Sequence, residues 1–233
     1  MQIDIKNACK AYEGNVVLNV AEFTFKPGKI YAILGLNGSG KSTLLNCIAG
    51  ICNLSSGYIV YNEKFKLKDI RKSISIVSQK PYLFNSSVRD NIVSGLRFRK
   101  MNVDDINKRL TKYTNHFSID KLLNKNCKKL SGGEGAKAAM LRTIVLETDV
   151  VLLDEPTAAM DVESTLEAEK LIKSIVSGNK TVIMVTHDLY QAERVADYVI
   201  FMDKGKIIEH GTKEKVFKYP EHPLVRTILN RGN

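Results

Sequence analysis

Ile30-Tyr31-Ala32-Ile33-Leu34-Gly35-Leu36-Asn37-Gly38-Ser39-Gly40-Lys41-Ser42 runs five apolar residues directly into the pattern G-x-x-x-x-G-K-[ST], and that junction decides the fold. The pattern describes a loop whose backbone N–H groups cradle nucleotide phosphates. Its glycines permit close backbone approach, Lys41 neutralises the β- and γ-phosphates, and Ser42 offers a hydroxyl to Mg²⁺. A chance glycine-rich turn is the bland alternative. The position between a buried strand and a helix start speaks against it.

Outward from this loop, residues 74–77, 150–153, 181–185 and 198–202 are further short apolar runs rich in β-branched residues. They lack period-two alternation, so they read as strands covered on both faces, as in a parallel sheet with helices on either side. Helical periodicity follows at residues 42–49, 164–175 and 189–196. The fold class is therefore α/β. Residues 1–5, 16–25 and 58–61 alternate and read as an antiparallel β edge part. From 86 to 148 the strand pattern lapses and polar helical segments take over, at 103–116 and 119–123 among others. We read one domain over 1–233, with 1–85 and 149–233 forming the α/β core and its antiparallel part, and 86–148 a helical insertion.

Two further elements carry chemistry. The apolar run 150–153 ends in Asp154-Glu155, which places two carboxylates at a strand's carboxyl end. Asp154 is the candidate Mg²⁺ holder, and Glu155 the candidate base that orients the attacking water. A surface acidic pair is the alternative, disfavoured by the four apolar residues leading into it. The second element is Leu130-Ser131-Gly132-Gly133-Glu134. Ser131 is placed to cap a helix on which Ala136, Ala139, Met140, Thr143 and Ile144 share a face, which sets Gly132 and Gly133 at a helix N-terminus, a natural anion site. Two phosphate-binding elements roughly ninety residues apart are hard to place on one nucleotide. The simplest solution is that each reads the nucleotide of a different copy.

Composition limits the alternatives. The chain has 233 residues, 44% hydrophobic and 26% charged, enough for a sizeable core. Its net charge of +10 points to an acidic partner: nucleotide, an anionic membrane surface or nucleic acid. The basic residues fall in scattered groups (Lys64, Lys66, Lys68, Arg71, Lys72; Arg97, Arg99, Lys100; Lys125, Lys128, Lys129), which read as solvated faces. Cys9, Cys47, Cys52 and Cys127 lack metal-ligand spacing and read as buried reduced thiols. No signal segment and no run near the ~18 residues needed to cross a bilayer is seen, so the expected location is cytoplasmic.

These residues, in this order, resemble the ATPase domain of the ABC (ATP-binding cassette) superfamily over essentially the whole chain. The resemblance implies a P-loop NTPase (RecA-like) core that binds ATP through Gly35, Leu36, Asn37, Gly38, Ser39, Gly40, Lys41, Ser42 and Thr43, with Tyr12 stacking on adenine. Gln79 is implied as the Q-loop glutamine that senses Mg²⁺ and the attacking water, so the metal set is Ser42, Gln79 and Asp154. His187 is implied to contact the γ-phosphate and completes a catalytic set with Glu155 and Gln79. Asp161, in Ala159-Met160-Asp161, is the D-loop aspartate at a dimer interface. It also suits the N-cap of the following helix. Ser131, Gly132, Gly133 and Glu134 are the signature that reaches the ATP of the facing subunit. Relatives often carry glutamine at the position of Glu134, followed by a basic run that Gly135-Ala136-Lys137-Ala138 replaces. A glutamate there repels a γ-phosphate unless it points away or meets a cation.

By the same resemblance the protein is an ATPase subunit, working as a homodimer with ATP and Mg²⁺, that energises solute import through separate transmembrane permease subunits and, indirectly, a solute-binding protein. It would sit on the inner face of the cell membrane. Pro81-Tyr82-Leu83-Phe84, directly after Gln79, is the candidate permease contact, with a buried core turn as the alternative. The run from Gln79 to Phe84 with Ser87-Val88-Arg89-Asp90-Asn91-Ile92 is similar to subunits serving oxyanions such as tungstate or phosphate. Two other classes stand beside this reading. A soluble ABC ATPase acting on nucleic acid or ribosomes suits the charge but lacks its usual coiled-coil insertion or second cassette. A small-molecule kinase leaves Leu130 to Glu134 unexplained.

Overall fold

The computed structural model describes residues 1–63, 70–176 and 179–231; Lys64, Lys66 and Lys68 of the first basic group lie outside them. Among the described residues, nine strands form two sheets. The larger has the order β5 (Ile74–Val77), β6 (Val150–Asp154), β7 (Thr181–Val185), β3 (Ile30–Gly35), β8 (Tyr198–Asp203) and β9 (Lys206–Thr212). Its first five strands are parallel. All five residues of β6 and of β7 are buried, the outcome expected of central strands in a two-sided sheet.

Alternate side chains of β6 feed two different cores. Val150 and Leu152 join Leu44, Leu45 and Ile48 of α1 (Lys41–Ile48), while Val151 and Leu153 pack with the helices on the opposite face. Those helices are α2 (Val88–Phe98), α3 (Val103–Thr114), α4 (Gly132–Ile144) and α5 (Val162–Ile175). Residues 119–123, expected as helix, make only a short 3₁₀ turn, Asp120–Leu122. A third cluster, around Phe201 and Val199 of β8, is closed by α6 (Leu189–Val195), α7 (Lys213–Lys218) and α8 (Pro223–Arg231). Among the described residues, no helix is long and apolar enough to cross a membrane.

The antiparallel part differs in detail from the reading above. β1 (Ile3–Tyr12), β2 (Asn15–Phe25) and β4 (Ser56–Tyr61) form a separate three-stranded sheet, order β2-β1-β4, instead of an edge on the main one. Its apolar face, Ile3, Ile5, Leu18, Val20 and Phe25, lies over Tyr31, Ile33 and α1 in one buried cluster. The antiparallel edge of the main sheet is β9 instead, turned back from β8 through Lys204 and Gly205, both at positive φ (44° and 79°). That two-residue turn has the φ signs a hairpin of right-twisted strands demands. The cysteines also differ from expectation. All four are free thiols, but Cys9, in β1, and Cys52, in the turn after α1, are only partly buried.

Candidate nucleotide site

In a parallel sheet all the carboxyl ends face one way, and ligands of open α/β sheets bind at that edge. Gly35 closes β3 with φ of 144°, and Gly40 precedes α1 with φ of 95°. A Cβ at Gly35 would overlap the Met202 carbonyl oxygen of β8; one at Gly40 would lie 2.6 Å from the Val17 carbonyl oxygen. Both positions need glycine for conformation and for space. Gly35→Ala is expected to cost at least about 3 kcal/mol, or roughly 6–12 °C in Tm for a chain of this size. A thermal scan within about 2 °C of the parent would contradict the steric argument.

Lys41, 7% exposed, folds back on its own loop. Its Nζ donates to the carbonyl oxygens of Gly35 and Leu36, both at 2.9 Å, and lies 3.4 Å from Ser39 Oγ. Burial lowers its pKa, and Glu155 and Asp154 pull it back up. Asp154 is also buried, which raises its pKa, while the Ser42 hydroxyl, donating to Oδ1 at 3.1 Å, works against that. A cation and a carboxylate that interact with each other are thus both disfavoured by desolvation. Phosphates beside Lys41 and a cation beside Asp154 would relieve both.

The donors around Asp154 fit Mg²⁺. A carboxylate and a hydroxyl are hard oxygen ligands, and Mg²⁺ takes one or two carboxylates and fills its shell with water and substrate phosphate. Among the described residues no group of three His, Cys, Asp or Glu gathers to hold a metal unaided.

Glu155 follows Asp154 with φ of 47°, left-handed for a non-glycine residue, and its N–H donates to the Val185 carbonyl at 2.9 Å. Gln79 Nε2 donates to its Oε2 at 3.0 Å, and His187 Nδ1 lies 3.5 Å from its Oε1. The reason is topological. Residues 79, 155 and 187 each follow the end of a strand, and β5, β6 and β7 are neighbours in the sheet. The cleft beside them, about 440 Å³, is lined by Val17, residues 37–43, Gln79 and Glu155. Leu36 is exposed and, with Gly35 and His187, lines a smaller hollow next to it.

Not every expected residue gathers here. Tyr12 ends β1 at 46% exposure, outside the cleft lining, with its hydroxyl donating to Cys52 Sγ at 3.7 Å and Lys10 Nζ 4.7 Å above its ring. The Ser131–Glu134 turn also lies outside that lining, at the start of α4. Ser131 and Gly132 line a separate groove of about 420 Å³ that reaches back to Gln79 and Glu155. Ser131 Oγ accepts from the Glu134 N–H at 3.2 Å, and Glu134 Oε2 accepts from the Ser131 N–H at 2.8 Å. These reciprocal bonds satisfy two N–H groups at the helix start. Asp161 accepts from the Ser164 N–H at 2.7 Å, capping α5, and that bond holds its pKa down.

Sequence reading missed three supporting residues. Lys125 Nζ lies 3.1 and 3.3 Å from the two Glu134 carboxylate oxygens; with the Ser131 N–H as the larger cause, it keeps the Glu134 pKa low. Asn91, fully buried in α2, accepts from the Phe84 N–H and donates to the carbonyls of Phe84 and Ser87. Arg142 of α4 donates to the Tyr82 carbonyl at 2.8 Å and places its guanidinium 5.8 Å from the Phe84 ring centre. Lys125 and Arg142 reach partners nine and sixty residues away, and Asn91 holds the Phe84 loop from within α2, so no periodic signal marks these contacts.

A glycine-rich strand-to-helix loop facing a strand-end carboxylate pair, on a parallel sheet of this order, defines a P-loop ATPase fold. Residues 18–158, more than half of the chain, match the sequence pattern of the family described as ABC transporter, and the chain belongs to that family as one of its ATP-hydrolysing members. It is 37% identical over 210 residues to the tungstate uptake system ATP-binding protein TupC of Peptoclostridium acidaminophilum, covering 90% of this chain and 98% of that one. It is 35% identical over 240 residues to the L-cystine import ATP-binding protein TcyN of Bacillus subtilis, covering 98% and 93%. Among solved structures, a dimeric ATP-binding cassette in a post-hydrolysis state, bound to ADP and Pi, superposes with a TM-score of 0.83 at 25% identity, over 91% of this chain and 98% of that one.

Proposed function

We propose that this chain is the ATPase subunit of an importer, acting as a head-to-tail homodimer on the inner face of the cell membrane and driving a separate permease. In this reading the loop of one copy and the Ser131–Gly133 turn of the other close on each ATP. The loop N–H groups hold the phosphates, and Lys41 exchanges the Gly35 and Leu36 carbonyls for phosphate oxygens. Ser42 and Asp154, with Gln79, would hold Mg²⁺, which would supply positive charge to the bound phosphates. Glu155 takes the proton of the attacking water, Gln79 and His187 keep its carboxylate aimed, and His187 reaches the γ-phosphate. Tyr12 stacks on adenine, and Asp161 faces the partner. Hydrolysis removes the bridge between the copies, so the dimer reopens.

The observation that carries the coupling to a permease is the segment after Gln79. Gln79 itself bonds Glu155, and three and five residues on, Tyr82 and Phe84 stand 74% and 51% exposed, edge to face at 5.9 Å. Asn91 and Arg142 fix the backbone beneath them. Two rigid, exposed aromatic rings beside a nucleotide-facing glutamine suit a protein contact, where such residues dominate binding energy. Leu83 between them packs against the core, so the alternative of a buried turn applies to that residue alone.

Phe84→Asp is expected to lower recovery of permease with a tagged chain from native membranes by at least about tenfold, with ATP affinity kept. Equal recovery would overturn the contact. The same purification tests the importer reading: permease and solute-binding protein support it, and ribosomes or nucleic acid would replace it with the soluble alternative. For the solute we propose an oxyanion of the tungstate class, on the strength of the 37% identical tungstate uptake relative. Uptake of radiolabelled oxyanion lost on deletion of the gene tests it; loss of L-cystine uptake instead would assign the solute named for the 35% relative.

A further inference from the structure

Glu134 poses a problem for the dimer reading. The N-terminus of α4 offers N–H groups to the γ-phosphate of the facing copy, yet the third residue of that helix is a carboxylate. A negative side chain there opposes the anion that the helix start attracts. The side chain is not turned out into water. It folds back over the turn to the Ser131 N–H and meets Lys125 Nζ with both oxygens, and the pair is two-thirds shielded, at 35% and 29% side-chain exposure.

Lys125 is itself held firmly. Its carbonyl accepts from the Val88 N–H at 3.0 Å, its N–H donates to Leu122, and Asn126 pairs with Ser87 as an isolated β-bridge. Residues 122–127 are thereby bound to the start of α2, the helix whose Asn91 fixes the Phe84 loop. The cation is delivered to the signature turn by backbone bonds, not by helical spacing.

We propose that Lys125 is a positioning residue for the ATP reaction: it neutralises Glu134, so that the Ser131–Gly133 turn receives the γ-phosphate of the facing copy without like-charge repulsion. Glu134 then serves as a capping residue whose charge is cancelled locally. The inference rests on the head-to-tail dimer reading.

The test is a double-mutant cycle in the Glu155→Gln background, reading the Mg-ATP concentration that half-saturates dimer formation by analytical ultracentrifugation. Lys125→Ala is expected to raise that concentration about tenfold. In the presence of Glu134→Gln, the same Lys125→Ala change should raise it by less than about threefold, and Lys125→Arg should stay within about threefold of the parent. A merely structural role predicts the same loss with either residue at 134, and that result, or no loss at all, overturns the proposal. Thermal scans confirm that each variant is folded. If the Glu155→Gln chain shows no ATP-dependent dimer, the dimer reading itself fails and this inference falls with it; a dimer that forms but ignores the cycle refutes Lys125 alone.

Discussion

Glu155→Gln is expected to bind Mg-ATP as the parent does and to hydrolyse it roughly a thousandfold more slowly, accumulating as an ATP-bound dimer. The geometry supplies the reason. The amide has nearly the shape of the carboxylate, so it can still accept the Gln79 hydrogen bond at 3.0 Å and leave the turn after β6 undisturbed. What it loses is the ability to take a proton. The expected result is a selective loss of turnover with Tm and nucleotide affinity close to the parent values. Single-turnover hydrolysis within about tenfold of the parent would remove Glu155 from the role of base and leave it as a residue that orders Gln79 and His187.

Lys41→Met is expected to weaken ATP binding by at least about a hundredfold while costing little stability in the empty protein. The two halves of this prediction have one cause. Lys41 is buried, and desolvation already disfavours its charge, so the ammonium adds little to the folded state beyond its bonds to the Gly35 and Leu36 carbonyls. Methionine keeps the apolar stem that packs at the start of α1. Once phosphates arrive, the same charge is the only lysine among the described residues that line the cleft, which also contains Glu155. A fluorescence titration showing affinity within about threefold of the parent would rule out this role, and a large drop in Tm would show that the lysine serves the fold first.

The parts of the fold that were legible in the sequence share a physical feature: their signal is local. Residues 150–153 and 181–185 lack alternation because β6 and β7 are covered on both faces, and that needs no partner to be read. The glycine pattern at 35–42 records backbone conformations, φ of 144° at Gly35 and 95° at Gly40, that other residues resist. Ser131 and Asp161 announce helix starts because a cap bonds to an N–H three residues on. By contrast, β9 was not recognised, since its residues are mostly only half-buried and carry no clean alternation. The partner of the three-stranded sheet was also invisible, because alternation says that one face is covered but not by what.

At the nucleotide site, the candidate residues were each nameable from the sequence, but their arrangement was not. Gln79 and His187 meet on the Glu155 carboxylate because β5, β6 and β7 lie side by side in the sheet, and that pairing is not written in the residues themselves. Tyr12, expected beside adenine, stands at the end of β1 next to Cys52, outside the lining of the phosphate cleft, a position the sequence does not reveal.

The sequence by itself determined the α/β class, the phosphate loop, the carboxylate pair at a strand end and the helix-starting turn at Ser131, because each is written in residues close together along the chain. Only the tertiary structure decided what Glu134 does there. A carboxylate beside an anion site is repulsive or harmless according to its nearest cation. That cation, Lys125, is nine residues away along an irregular stretch, carried to Glu134 by backbone bonds to the start of α2.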